Sequence, residues 1–305
     1  MGGRVLVFGS INTDLIVYVE KLPHPGETVT GGTWESFPGG KGANQAVAAA
    51  RAGAPVAIYG CLGDDGFGKD RLISLAATGI ATGGVRVRAG VRSGVALIMV
   101  DSEGENSIAV APGANMHFEA EGVDIPKVPL GETWVALFQN EIPRQTTEDL
   151  IVRTRGAGCL VMWNIAPTIG RRPGAEILRS VDYLVCNKNE IQALVGGNDD
   201  LVNQAKVPLG WGVRNVIVTL GSKGSIWVRG ESVHRQEAYP VEAIDAVGAG
   251  DCYCGVLAAS IAAGSPVEAA LRRASAAAAI STTHRGAQPS MPTLDEIEDF
   301  LSARG

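Results

Sequence analysis

A chain of 305 residues, 46% apolar and 19% charged, carries enough apolar surface for a large folded core, which excludes an intrinsically disordered protein. A net charge of −6 argues against a general nucleic-acid or anionic-membrane surface, though it leaves room for a local basic pocket. Cys61, Cys159, Cys186, Cys252 and Cys254 are odd in number and scattered; Cys252 and Cys254 stand too close together for a usual zinc pair, so reduced, buried thiols in a cytoplasmic protein are expected.

Met1 to Ser10 is too short for a signal peptide, and no apolar run reaches membrane length. Val5 to Gly9 reads as a strand buried on both faces, ending in Ser10-Ile11-Asn12-Thr13-Asp14. Polar residues past the carboxyl end of a parallel strand lie where open α/β sheets bind ligands, which makes Asn12 and Asp14 candidates for substrate contact. Turn chemistry alone also favours Asn and Asp there. Leu15 to Val19 reads as a second strand, and Thr28 to Gly31 as a third after the Pro23–Gly26 turn.

Phe37-Pro38-Gly39-Gly40-Lys41-Gly42 leads into a helix over Ala43–Ala52, with Asn44 in its first turn and Gly39-Gly40 as a hinge. Lys41 suits phosphate or simply solvent. A strand at Val56–Gly60 and a helix at Gly66–Ala77 follow. Gly94–Val100 and Asn106–Val110 then form a hairpin around Asp101 to Glu105. Two β-only insertions in an α/β chain predict a small separate sheet, whose apolar face needs a ligand or a second copy to cover it.

Strands at 134–138, 160–163, 183–186 and 216–220, with a helix at 144–155, give the βα alternation of a parallel sheet. Five strands end in Asn12/Asp14, Glu141, Asn164, Asn187/Glu190 and Thr219/Gly221. Along one sheet edge these amides and carboxylates suit a polyhydroxylated ligand at one end and a metal–phosphate at the other. Three helices, 249–263, 266–281 and 294–303, close the chain. Between the last two, His284 has no readable partner acid or nucleophile, which favours a loop role.

Gly248-Ala249-Gly250-Asp251 opens the first of these helices. A glycine turn feeding a helix N-terminus is an anion site. Asp251 beside it repels phosphate but is well placed to take a proton from a hydroxyl attacking it, which points to phosphoryl transfer. The helix dipole alone also favours acids in a first turn. No Gly-x-x-x-x-Gly-Lys-Ser/Thr, no Gly-x-Gly-x-x-Gly after the first strand, no His-Glu-x-x-His and no Gly-x-Ser-x-Gly occurs. P-loop, nicotinamide-dehydrogenase, metalloprotease and α/β-hydrolase readings therefore have no support.

Gly39-Gly40-Lys41-Gly42-Ala43-Asn44-Gln45-Ala46, Asn187-Lys188-Asn189-Glu190 and Asp245-Ala246-Val247-Gly248-Ala249-Gly250-Asp251 together resemble the signatures of the PfkB family of carbohydrate kinases. The resemblance runs nearly end to end. Gly9 to Asp14, Pro25-Gly26-Glu27, Glu105-Asn106 and Gly286-Ala287-Gln288-Pro289-Ser290 are similar to its ribose-phosphorylating branch. It implies a ribokinase-like three-layer α/β/α fold with a mostly parallel central sheet and a small β-sheet lid. Residues 1–12, 40–92 and 111–305 would form the large domain, and 13–39 and 93–110 the lid. It also implies ATP-dependent transfer to O5 of D-ribose, with fructose, 2-keto-3-deoxygluconate or adenosine as rival acceptors; a non-catalytic sugar-binding protein is the rival outside enzymes.

In that resemblance Asp251 is the base, and the backbone of Gly248, Ala249 and Gly250 is the anion hole. Asn12, Asp14, Gly40, Lys41, Asn44 and Glu141 contact the sugar. Asn187, Thr219, Gly221, Ser222, Gly224 and Gly250 contact the nucleotide, and Glu190 lies near Mg²⁺, directly or through water. A monovalent cation, K⁺, is implied near Asp245, Val247, Ser281, His284, Gly286 and Ser290. Ala246 departs from the family, which usually has Thr there. A homodimer through the lid sheet, with no nucleic-acid or membrane partner, completes the expectation.

Overall fold

The computed structural model describes residues 3–103, 105–168, 170, 172–197 and 200–304. In chain order these form β1 (Arg4–Phe8), β2 (Asn12–Tyr18), β3 (Trp34–Gly39), α1 (Lys41–Arg51), β4 (Val56–Gly63), α2 (Gly66–Ala77), β5 (Ala81–Arg88), β6 (Gly94–Val100) and β7 (Asn106–Ala111). A 3-10 turn at Gly113–His117 precedes β8 (Trp134–Phe138), α3 (Arg144–Gly156), β9 (Leu160–Asn164), α4 (Ala175–Ser180), β10 (Tyr183–Asn187), α5 (Lys188–Val195), α6 (Leu201–Gly210) and β11 (Asn215–Thr219). A second 3-10 turn, Gly221–Lys223, leads to β12 (Ser225–Arg229), β13 (Ser232–Gln236), α7 (Ala249–Ala262), α8 (Val267–Thr282) and α9 (Leu294–Ser302).

The large sheet has the order β13-β12-β11-β10-β9-β8-β1-β4-β5, and pairing is parallel from β11 through to β5. Successive residues of β1 explain the layering. Val5 and Val7 enter one buried apolar cluster with α1, α7, α8 and α9, while Leu6 and Phe8 enter another with α3 to α6. A strand buried on both faces has no polar face to show, hence its continuous apolar run. The result is three layers, helices on both faces of a nine-stranded sheet, as the βα alternation predicts. Parallel pairing also puts the carboxyl ends of β1, β8, β9, β10 and β11 on one edge. The antiparallel β12–β13 edge, along with β5, was hidden in sequence among short polar runs.

The small sheet has the order β3-β2-β6-β7, with β2 parallel to β6 and the other pairs antiparallel. Its structure corrects two expectations. Thr28–Gly31 is not a strand: Gly31 and Gly32 adopt φ of +100° and +93°, which breaks the extended run. Trp34–Gly39 takes up the ladder instead, pairing with β2 from Asn12 to Val17. Pro38 is tolerated there because β3 is an edge strand. Asn12 and Asp14 are likewise not in a loop but at the start of β2, so the small sheet itself carries them. The β6–β7 hairpin forms as expected, with Asp101 Oδ1 accepting from the Glu103 and Glu105 N–H groups at 3.0 and 2.9 Å. Gly104 of that hairpin loop, and Met1 and Gly2 of the leading segment, lie outside the described residues. Among the described residues no helix is long and apolar enough to cross a membrane.

Candidate active site

α1 starts where β3 ends. Gly40 sits between them at φ +87°, and a Cβ there would lie 2.7 Å from Asn12 N. Only glycine permits both the dihedral and that approach. Gly40 supplies no side-chain cap for α1, so the helix is capped from elsewhere in the fold. The Lys41 N–H donates to Glu141 Oε2 at 3.1 Å, and Ser10 Oγ donates to the same oxygen at 2.5 Å. Glu141, just past β8, is thus fixed at a positive helix end, where a carboxylate is favoured.

Asn12 is buried, and its Oδ1 accepts from Asn115 Nδ2 at 2.7 Å, which leaves its NH₂ as the group for a ligand hydroxyl. Burial first, then the charges of Glu141 and Asp251, push the Asp14 carboxyl up to about 6, against the opposing pull of Arg71. The Lys41 ammonium is held above its ordinary range chiefly by Asp251 and further by Glu141 and Glu190, against the effect of burial. Lys41 is therefore partly buried among carboxylates and not a solvated surface lysine.

Asp251 lies buried in the first turn of α7. Its Oδ2 accepts from Asn44 Nδ2 at 3.0 Å, and its Oδ1 from Gln45 Nε2 at 2.9 Å. Asn44 Oδ1 in turn accepts from Gln288 Nε2 at 3.1 Å. Gly248 caps α7 in the left-handed region at φ +77°, with no side-chain cap, and nothing lies within 4 Å of where a Gly250 Cβ would stand. The helix start is open and positive, and a carboxylate stands beside it.

Across the same edge, a cavity of about 750 Å³ is lined by Asn187, Gln192, Gln204, Thr219, Gly221 and Lys223 among others, a size suited to a nucleotide. Asn187 caps α5 in a capping box. Its side chain accepts from Glu190 N at 2.9 Å, and Glu190 Oε2 accepts from Asn187 N at 2.7 Å. Glu190 thus has a structural duty besides any toward a metal. Ser222 is exposed on the Gly221–Lys223 turn, and Gly224, at φ +83°, packs against Gln236 and closes the turn into β12.

No group of three or more His, Cys, Asp or Glu side chains poised to hold an ion occurs among the described residues. Mg²⁺ does not require one, since it binds through one or two carboxylates plus substrate phosphates and waters; Glu190 fits that pattern. The loops expected to hold a monovalent cation are stitched together. Asp245 Oδ1 accepts from Val247 N at 2.9 Å and Oδ2 from Gly286 N at 2.8 Å. Ser281 and Ser290 hydroxyls donate to Ala278 and Ala287 carbonyls at 2.9 and 2.8 Å. The His284 ring is exposed and pairs with the Thr283 hydroxyl. Gly248 also packs on Ala287, where a Cβ would lie 2.7 Å from the alanine Cβ, so these loops abut the start of α7.

Sequence reasoning missed Ser10, Gln45, Gln139, Asn115 and Gln288 as site groups. Ser10, Gln45 and Gln288 stood inside sequence motifs, which was the available signal.

A carboxylate beside an open helix start, a neighbouring ammonium, polar side chains for hydroxyls and a nucleotide-sized cavity on one sheet edge suit phosphoryl transfer to an alcohol. Residues 3–294 match the pfkB family carbohydrate kinase, and the chain belongs to that family. It is 36% identical over 305 residues to a ribokinase from Haemophilus influenzae, covering 99% of both chains. It is 34% identical over 303 residues to a deoxyribokinase from Salmonella typhi, covering 98% of both. Its fold is similar to that of an Arabidopsis thaliana ribokinase complexed with ribose and ATP, with a TM-score of 0.84, 31% identity and 99% of each chain covered.

Proposed function

We propose that this carbohydrate kinase transfers the γ-phosphoryl group of ATP to the O5 hydroxyl of D-ribose. The observation that carries the reading is Asp251, held on both oxygens in the first turn of an uncapped helix. Asp251 accepts the hydroxyl proton as the oxygen attacks phosphorus. The new P–O bond forms, the bond to the bridging β–γ oxygen breaks, and its electron pair leaves with ADP. The N–H groups of Gly248 and Gly250 are left to face the charge that develops on the transferring oxygens, while that of Ala249 donates to the Ala246 carbonyl at 3.2 Å.

Mg²⁺ with the nucleotide supplies charge neutralisation across the phosphates, and Glu190 is the residue that would hold it. Asn187, Thr219, Gly221, Ser222 and Gly224 serve the nucleotide. Asn12, Asp14, Gly40, Lys41, Asn44 and Glu141 serve the sugar. Asp245, Val247, Ser281, His284, Gly286 and Ser290 surround a K⁺ site beside the anion turn. Residues 13–39 and 93–110 act as a lid on residues 1–12, 40–92 and 111–305, hinged at Gly39-Gly40, and closure excludes water as a competing acceptor. Five free, buried cysteines suit a reducing cytoplasm.

The Salmonella deoxyribokinase match makes 2-deoxyribose the second reading. ADP release from Mg-ATP, measured with ribose, 2-deoxyribose, fructose, 2-keto-3-deoxygluconate and adenosine, with and without K⁺, separates them. Ribose is expected to give the highest kcat/KM, and K⁺ to raise it. A better acceptor replaces ribose while keeping the mechanism; no turnover on any of the five overturns the reading.

A further inference from the structure

Gln45 is fully buried on α1, one residue beyond Asn44, and neighbours on a helix do not ordinarily face the same group. Both nonetheless reach the Asp251 carboxylate, one to each oxygen. The Gln45 NH₂ has a second acceptor, Asn164 Oδ1 at 3.1 Å, and Asn164 is itself fixed by donating to the Val185 carbonyl at 3.2 Å. The Gln45 carbonyl end accepts from Gln139 Nε2 at 2.6 Å. An amide has two unlike ends, and this arrangement assigns each. With the amide reversed, its carbonyl oxygen would face the carboxylate and repel it, and its NH₂ would face the Gln139 NH₂.

Gln139 is held at a loss. It is completely buried, and its own Oε1 has no hydrogen-bond partner. An orphaned buried carbonyl is a cost that an apolar side chain of the same size would avoid. Room for the amide comes from Gly9, because a Cβ there would overlap Gln139 Oε1. A packing role for Gln139 would not need its NH₂; a role in orienting Gln45 does.

We propose that Gln45 is a positioning residue for Asp251, and that Gln139, just past β8, sets which way the Gln45 amide points. The relay runs from Gln139 NH₂ to Gln45 C=O, and from Gln45 NH₂ to Asp251. It fixes the carboxylate rotamer, leaving the remaining lone pairs for the sugar hydroxyl. This rests on Asp251 being the base.

The test compares wild type, Asp251→Ala, Gln45→Met, Gln139→Met and the double methionine variant. It reads kcat, both KM values and the melting temperature. Gln45→Met is expected to lower kcat roughly 10- to 100-fold and leave both KM values within about threefold, a split that a merely structural role would not produce. Gln139→Met is expected to lower kcat by a smaller factor, and the double variant to match Gln45→Met because Gln139 acts only through Gln45.

Folded Gln45→Met with kcat within twofold of wild type, beside an inactive Asp251→Ala, overturns the relay and keeps the base. Full turnover in Asp251→Ala overturns the base itself. Should Gln45→Met not fold, Gln139→Met carries the test alone: unchanged kcat would overturn the proposal.

Discussion

Asp14, which we propose contacts the sugar, works against the stability of the fold that holds it. Its carboxyl is pushed from 3.8 to about 6 by burial, Glu141 and Asp251. The folded-state value lies above the unfolded one, so the folded chain keeps an extra proton between about pH 4 and 6. Stability from this group therefore falls as pH rises through that window. Asp14→Asn is expected to stabilise the protein at pH 8 by on the order of 1 kcal/mol after solvent screening, and by little at pH 4.5. The same variant is expected to raise the KM for sugar at least tenfold. Thermal melts at the two pH values check this, and an equal shift at both would exclude the electrostatic cause. At this scale Asp251, Asn44 and Asn12 were legible because each sits in a dense local motif. Gln139 and Gln288 were not. Gln139 meets Gln45 across 94 residues of sequence and Gln288 meets Asn44 across 244, contacts that no local pattern encodes.

The small sheet is the element with unfinished business. Ile16, Ala96 and Ile98 bury one face, with Tyr18, Phe37 and Val100 packed on them. Alternation along the strands sends Val17, Trp34 and Leu97 outward, where they are 39%, 69% and 55% exposed. Val17 and Trp34 are directly paired, so the patch is contiguous. β3 and β7 are open edges besides. Such a face in a four-stranded sheet calls for cover, and we propose that a second copy of the sheet is the occupant. Sedimentation equilibrium is expected to give twice the monomer mass for wild type and the monomer mass for Leu97→Asp. A monomeric wild type removes the dimer. The existence of this sheet was legible from two β-only stretches in an α/β chain. The position of β3 was not, because Pro38 and Gly39 carry the marks of a loop and only an edge location reconciles Pro38 with a strand.

The whole molecule follows from alternation. Continuous apolar strands flanked by helices dictate a parallel sheet covered on both faces, and parallel pairing gathers the strand ends on one edge. That gathering brings Glu141, Asn164, Asn187 and Thr219 to the edge shared by Asp251. Lys41 links the two ends of that edge, since its ammonium feels Asp251, Glu141 and Glu190 together. The short β12–β13 hairpin and helices α4 to α6 escaped sequence reading because their patterns are brief and mixed, but they frame the nucleotide side without altering the layering. If a base beside an anion-binding helix start performs the reaction, removing its negative charge while keeping its shape must stop catalysis and spare the fold. Steady-state ADP release with saturating Mg-ATP and ribose should fall roughly 10²- to 10⁴-fold in Asp251→Asn, with the melting temperature nearly unchanged. Near-full turnover in that variant would mean that the proton leaves by another route and that Asp251 is not the base.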